Sequence, residues 1–129
     1  ELQYEILQLK EHGIGAVVTL TESPLAAHAF QESAIHYLHI PIPDMTAPTQ
    51  SQIDEFILFA QTNIQNGRPI AVHCLGGSGR TGTMVACYLV SKGYSPQEAI
   101  RLVRKYRPSA IETHWQEEAI HEYAERRTN

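Results

Sequence analysis

Pro69-Ile70-Ala71-Val72-His73-Cys74-Leu75-Gly76-Gly77-Ser78-Gly79-Arg80-Thr81-Gly82 is the stretch that decides how this chain folds. Ile70-Ala71-Val72 is a short apolar run with β-branched members, which reads as a buried strand. Glycines and small residues come next, and Thr83-Met84-Val85-Ala86-Cys87-Tyr88-Leu89-Val90 then carries a helical pattern. Strand, glycine loop and helix N-terminus together gather backbone N–H groups that lack intrahelical partners, which makes an anion site. Cys74 stands at one end of this loop and Arg80 at the other. A cysteine there is expected to react as a thiolate, because a helix terminus and a cation both favour the anion. Arg80 offers a planar fork that matches two phosphate oxygens. A nucleophile beside a phosphate cradle points to phosphoryl transfer to sulfur.

On either side of this core, strands and helices alternate. Leu2, Ile6, Leu7 and Leu9 predict a short amphipathic helix with Gly13 as its stop. Ala16-Val17-Val18-Thr19-Leu20 reads as a buried parallel strand, and Ile35 to Ile40 as a second strand. Residues 21–33 are ambiguous, a turn with a short helix after Pro24 being one reading. Three prolines make Pro41 to Pro48 a loop. Thr49 to Gln52 fits a capping box for a helix carrying Ile53, Phe56, Ile57, Phe59 and Ala60 and ending near Gly67. Gly93 closes the helix after the glycine loop, and Ser95-Pro96-Gln97-Glu98 starts the next. A final helix capped at Thr113 is expected to run through Arg126. This order predicts an α/β fold, a mostly parallel central sheet flanked by helices.

Composition narrows the function classes. With 129 residues, 43% hydrophobic and 19% charged, residues 1–129 are expected to form a single domain with a proper core. A net charge of −4 argues against nucleic acid or an anionic membrane as the main partner, although a phosphate cradle works by local field. Two cysteines, not spaced as a disulfide framework, indicate a reducing, cytoplasmic setting. No apolar run approaches the roughly 18 residues of a membrane span. The chain opens on Glu1, with neither an initiator methionine nor a signal-peptide pattern, so a trimmed N-terminus is open.

Gly77-Ser78-Gly79-Arg80-Thr81-Gly82 also matches G-x-G-x-x-G, the dinucleotide fingerprint. That reading fails on context, since the rest of the chain reads as helices and no strand ends in an acid about 20 residues later. A Walker-type loop would require Gly-Lys-Ser/Thr, and no lysine is present in the loop.

His73-Cys74, five residues, then Arg80-Thr81 matches the signature of the cysteine-dependent protein tyrosine phosphatases. Gly79 to Val90 and Arg107-Pro108-Ser109-Ala110-Ile111-Glu112-Thr113 are similar to the small atypical dual-specificity phosphatases and their archaeal relatives. Ile42-Pro43-Asp44 resembles the family's mobile acid loop. The likeness runs from about Gly15 to about Arg126. Relatives carry some twenty further residues before the first helix, including a strand, so either those residues have been removed or the edge of this sheet is built differently.

The resemblance implies a role for each matching residue. Cys74 would attack phosphorus while the N–H groups of Leu75, Gly76, Gly77, Ser78, Gly79 and Arg80 hold the phosphate oxygens. Thr81 would hydrogen-bond the sulfur and help it leave, and His73 would brace the loop. Asp44 would be the general acid; a plain turn-forming aspartate after proline is the alternative. Glu112 or Gln116 would position the hydrolytic water, although Gln116 fits a capping box with Thr113 equally well. With the sulfur ionised and Asp44 protonated, the rate should peak at mildly acidic pH.

Other features favour structural readings. His36 and His39 lie on opposite strand faces, and His114 and His121 have no further ligand, so no metal is expected. Cys87 reads as a small core residue and Trp115 as a packing anchor. Helix rise keeps Cys87 too far from Cys74 for a disulfide without rearrangement. Lys92, Arg101, Arg104, Lys105 and Arg107 read as a solvated basic face.

The chain is therefore expected to be a monomeric, cofactor-free phosphomonoesterase acting on phosphorylated proteins and holding phosphate or another oxyanion in its site. Phosphotyrosine is favoured, with phosphoserine and phosphothreonine open. A lysine-free loop argues for protein over a polyanionic lipid headgroup, and the acidic balance argues weakly against RNA 5′-phosphates. A phospho-binding scaffold without turnover is the competing class.

Overall fold

The computed structural model describes residues 10–23, 30, 33–74 and 79–128. Within them are β1 (Ala16–Thr19), β2 (His36–His39), α1 (Gln50–Gln65), β3 (Ile70–His73), α2 (Gly79–Ser91), α3 (Pro96–Tyr106) and α4 (His114–Thr128). The helix expected over Leu2 to Leu9 and the segment after Pro24 fall on residues outside this set.

The described sheet is parallel throughout, in the order β2-β1-β3. All four residues of β1, three of them apolar, are buried, as suits a central parallel strand. Side-chain alternation divides it between two cores. Val18 packs with Ile53, Phe56, Met84 and Ile120, whereas Val17 packs with Phe30 and Ile35 on the opposite face. Each large apolar side chain so buried contributes about 1.5 to 3 kcal/mol.

Helix ends lie close to where the sequence signals put them. The Thr49 and Ser95 capping boxes are both formed, and Pro96 begins α3. Gly13, Gly67 and Gly93 turn the chain with positive φ values of 81°, 74° and 109°. Two boundaries shift. α2 begins at Gly79, which draws Arg80 into its first turn, and α4 continues past Arg126 to Thr128.

Two side chains depart from their expected places. Trp115 is 67% exposed rather than a packing anchor, because the buried face of α4 is taken by Gln116, Ala119, Ile120 and Tyr123. Arg104 is half-buried rather than solvated. Its Nε donates to the Ala110 carbonyl (3.1 Å), and one Nη reaches the Ile111 carbonyl (2.7 Å) and the Glu117 carboxylate (2.8 Å). This fork holds a turn in which Ile111 has φ of 60°, a left-handed conformation uncommon for a β-branched residue. Such strain costs of order 1 to 3 kcal/mol. The same turn packs tightly on α2, where a Cβ on Gly82 would lie 2.7 Å from the Ala110 Cβ.

Candidate active site

The register brings the site together at the C-terminal ends of the strands. Thr19 pairs with His39 on one side and His73 on the other. Beyond it, the Leu20 N–H donates to the His73 carbonyl (3.0 Å), and the Ile42 N–H donates to the Leu20 carbonyl (3.1 Å). The segments leaving β2 and β3 are thus tied to the same residue. One carries Asp44 and the other Cys74.

Cys74 comes directly after β3 and is half-buried. The Thr81 hydroxyl, in the first turn of α2, donates to its Sγ at 3.0 Å. His73 lies beneath, its Nε2 2.8 Å from the Thr19 hydroxyl. That contact fixes the imidazole through a polar atom on an otherwise apolar strand. Gly79, Arg80 and Thr81 lie at the start of α2, whereas Leu75, Gly76, Gly77 and Ser78, the interior of the expected cradle, are outside the described residues.

Arg80 is only 5% exposed. One Nη donates to the Ile42 carbonyl at 2.9 Å, and the other lies 3.4 Å from an Asp44 oxygen. The Asp44 side chain is 61% exposed. Its turn is closed by the Thr46 N–H and hydroxyl, which both donate to the Pro43 carbonyl, at 3.1 and 2.7 Å. Asp44 therefore sits in a turn, as the plainer reading had it, and also next to the arginine of the loop.

Glu112, in the turn before α4, and Gln116, in its first turn, reach the same place. A Cβ built on Gly79 would collide with the Glu112 carboxylate and lie 3.0 Å from Gln116 Oε1, so both side chains cover the start of α2. Gln116 is fully buried and also completes the expected capping box with Thr113. Thr19, the Ile42 carbonyl and the Thr46 carbonyl were not among the expected site groups. The hydroxyl ending the apolar run Ala16-Val17-Val18-Thr19 was the one sequence signal for them.

Cys87 has no part in this site. It is buried in α2, and burial pushes its thiol up to about 12, against a smaller opposing pull from Arg126. Iodoacetamide at pH 8 is therefore expected to alkylate the native protein once, at Cys74, and twice after unfolding. Mass spectrometry of the peptides reads this out, and rapid labelling of Cys87 in the native state would contradict it. Among the described residues no group of three or more His, Cys, Asp or Glu side chains is placed to hold a metal ion, and no helix is long and apolar enough to cross a membrane.

The chain is similar to several known phosphatases. Residues 1–120 match the family model described as PTP-SAK, the Swiss Army Knife protein DSP-PTPase phosphatase domain. The chain is 34% identical over 124 residues to phosphatidylglycerophosphate phosphatase PTPMT1 of Arabidopsis thaliana, covering 92% of this chain and 37% of that protein. It is 32% identical over 104 residues to dual specificity protein phosphatase CDC14B of Mus musculus, covering 79% of this chain and 21% of that protein. It thus spans well under half the length of either relative. The crystal structure of Tk-PTP in its active form superposes with a TM-score of 0.88 at 35% identity, covering 96% of this chain and 86% of that one.

Proposed function

The chain belongs to the DSP-PTPase phosphatase family, and from that premise we propose that it hydrolyses phosphoprotein through a phosphocysteine, with phosphotyrosine as the favoured substrate and phosphoserine and phosphothreonine as further ones. The observation that carries this is the Thr81 hydroxyl on Cys74 Sγ at 3.0 Å, with Arg80 and Asp44 joined beside it.

Cys74 Sγ attacks phosphorus in line, so that the S–P bond forms as the ester P–O bond breaks. Asp44 gives its proton to the leaving oxygen. Arg80 and the loop N–H groups hold the non-bridging oxygens, whose charge is redistributed in the transition state. In the second step water attacks phosphorus, its proton passes to the Asp44 carboxylate, and the S–P bond breaks. The Thr81 hydroxyl stabilises the departing thiolate, which makes sulfur a better leaving group. Glu112, whose exposed carboxylate overhangs Gly79, is the residue suited to orient that water. Residues 1–129 act as one catalytic domain, in a reducing, cytoplasmic setting that keeps Cys74 reduced.

The test uses wild-type protein with EDTA, a phosphotyrosine peptide and an acid quench. Release of phosphate together with a phosphate adduct on the Cys74 peptide is expected. Tight peptide binding without release would favour a scaffold, and activity abolished by EDTA would overturn the mechanism. A lipid phosphomonoester is the second reading, favoured by the likeness to the phosphatidylglycerophosphate phosphatase. The lysine-free run Leu75 to Gly79 counts against it, because a polyanionic headgroup calls for cations there. Faster turnover of phosphatidylglycerophosphate vesicles than of any phosphopeptide would decide for lipid.

A further inference from the structure

We propose that Gln116 is a positioning residue for the general acid: its buried amide pins the far side of the Asp44 turn and does not orient the hydrolytic water. This rests on the phosphatase reading above.

The amide's bonding capacity decides the matter. Gln116 Oε1 accepts the Glu112 N–H at 2.7 Å and the Thr113 N–H at 3.1 Å, and a carbonyl oxygen has two lone pairs. Nε2 donates to the Thr46 carbonyl at 3.1 Å. Two N–H groups at one end and a carbonyl at the other leave a single orientation for the amide. A residue that orients the attacking water by taking one of its protons in a hydrogen bond needs a free acceptor. Gln116 Oε1 is fully occupied and its side chain is out of solvent, so it has no acceptor to offer.

What the amide can do is hold backbone. The Asp44 turn is gripped twice, at the Ile42 carbonyl by Arg80 from α2 and at the Thr46 carbonyl by Gln116 from α4. Asp44 lies midway, preceding Met45, whose φ of 69° makes the turn sharp. The helix after the turn is bound to α4 as well, since Gln50 Nε2 donates to the Ala119 carbonyl (3.1 Å) and Arg126 pairs with Asp54 (2.9 Å). The Gln116–Thr46 bond is therefore the link between this braced frame and the acid itself. Releasing it frees the turn on one side while Arg80 still holds the other.

Gln116→Glu isolates the link. A carboxylate can still accept the two cap N–H groups but cannot donate to Thr46. With substituted phenyl phosphates, kcat/KM is expected to fall about tenfold to a hundredfold, and further as the leaving phenol becomes less acidic. Amide hydrogen exchange over residues 44–47 should rise. Because kcat/KM reports steps only through departure of the phenol, a variant with kcat/KM intact, kcat lowered and a burst of phenol would overturn the proposal and restore the water role. An equal loss for every leaving group, with no change in exchange, would also overturn it, as the mark of general structural damage. Gln116→Met, similar in volume, carries the same test if Gln116→Glu loses its thermal transition. Should wild-type protein turn over no phosphomonoester, the phosphatase reading fails. Exchange over residues 44–47 in the variant then still decides whether the amide holds the turn.

Discussion

Cys74→Ser is expected to lower turnover of phosphotyrosine peptide by about 10⁵-fold or to undetectable levels, while the melting temperature and the affinity for inorganic phosphate stay close to wild type. A serine oxygen occupies nearly the sulfur's place and can take over the hydrogen bond from Thr81. Arg80 and the start of α2 are untouched, so phosphate affinity is expected to remain. What the proposed mechanism loses is its nucleophile, because a hydroxyl ionises far less readily than a thiol. Side-by-side calorimetric titration with phosphate and a discontinuous phosphate-release assay separate binding from chemistry. Turnover within tenfold of wild type would show that sulfur is not the attacking atom.

Arg80→Lys is expected to cost about 10³-fold in kcat/KM despite keeping the charge. Both Nη atoms turn to one segment, the first donating to the Ile42 carbonyl at 2.9 Å and the second lying 3.4 Å from Asp44, and on the proposed mechanism the same fork also holds the phosphate. A lysine ammonium is a point charge on a flexible stem. It can reach the phosphate or the Ile42 carbonyl, but it cannot present a flat pair of donors to the former while bracing the latter. The loss should fall on both KM and kcat, since phosphate affinity and the placement of Asp44 suffer together. Retention of more than a tenth of wild-type kcat/KM would mean that charge alone suffices here.

The alternation of strands and helices was readable because each element carried its own signal. The apolar run of β1, the capping residues Thr49 and Ser95 and the glycines at 13, 67 and 93 all state local preferences that the fold keeps. Cys74, Thr81, Arg80 and Asp44 were legible from their types and spacing, and the fold brings them together. Arg104 and Trp115 were misread for a common reason, that a helical residue's surroundings depend on what crosses it. Whether an arginine meets solvent or a pair of carbonyls is set by a turn six residues on, and composition carries no trace of it. The carbonyls of Ile42 and Thr46 were invisible from sequence for a simpler reason, since every residue has a carbonyl. Gln116 stood between two readings because capping and water placement ask for the same side chain. Only the occupancy of its oxygen separates them.

The three open glycine turns divide the molecule by task. Gly13 and Gly67 precede the N-terminal ends of β1 and β3, and Gly93 ends the helix that runs back from Cys74. An added Cβ at any of them would meet nothing within 4 Å. All three therefore lie at the end of the sheet remote from the chemistry, in surroundings that tolerate extra chain. A second folded unit spliced in at Asn66–Gly67 or Lys92–Gly93 would be carried on the back of the catalyst, its tether never crossing the path of a substrate.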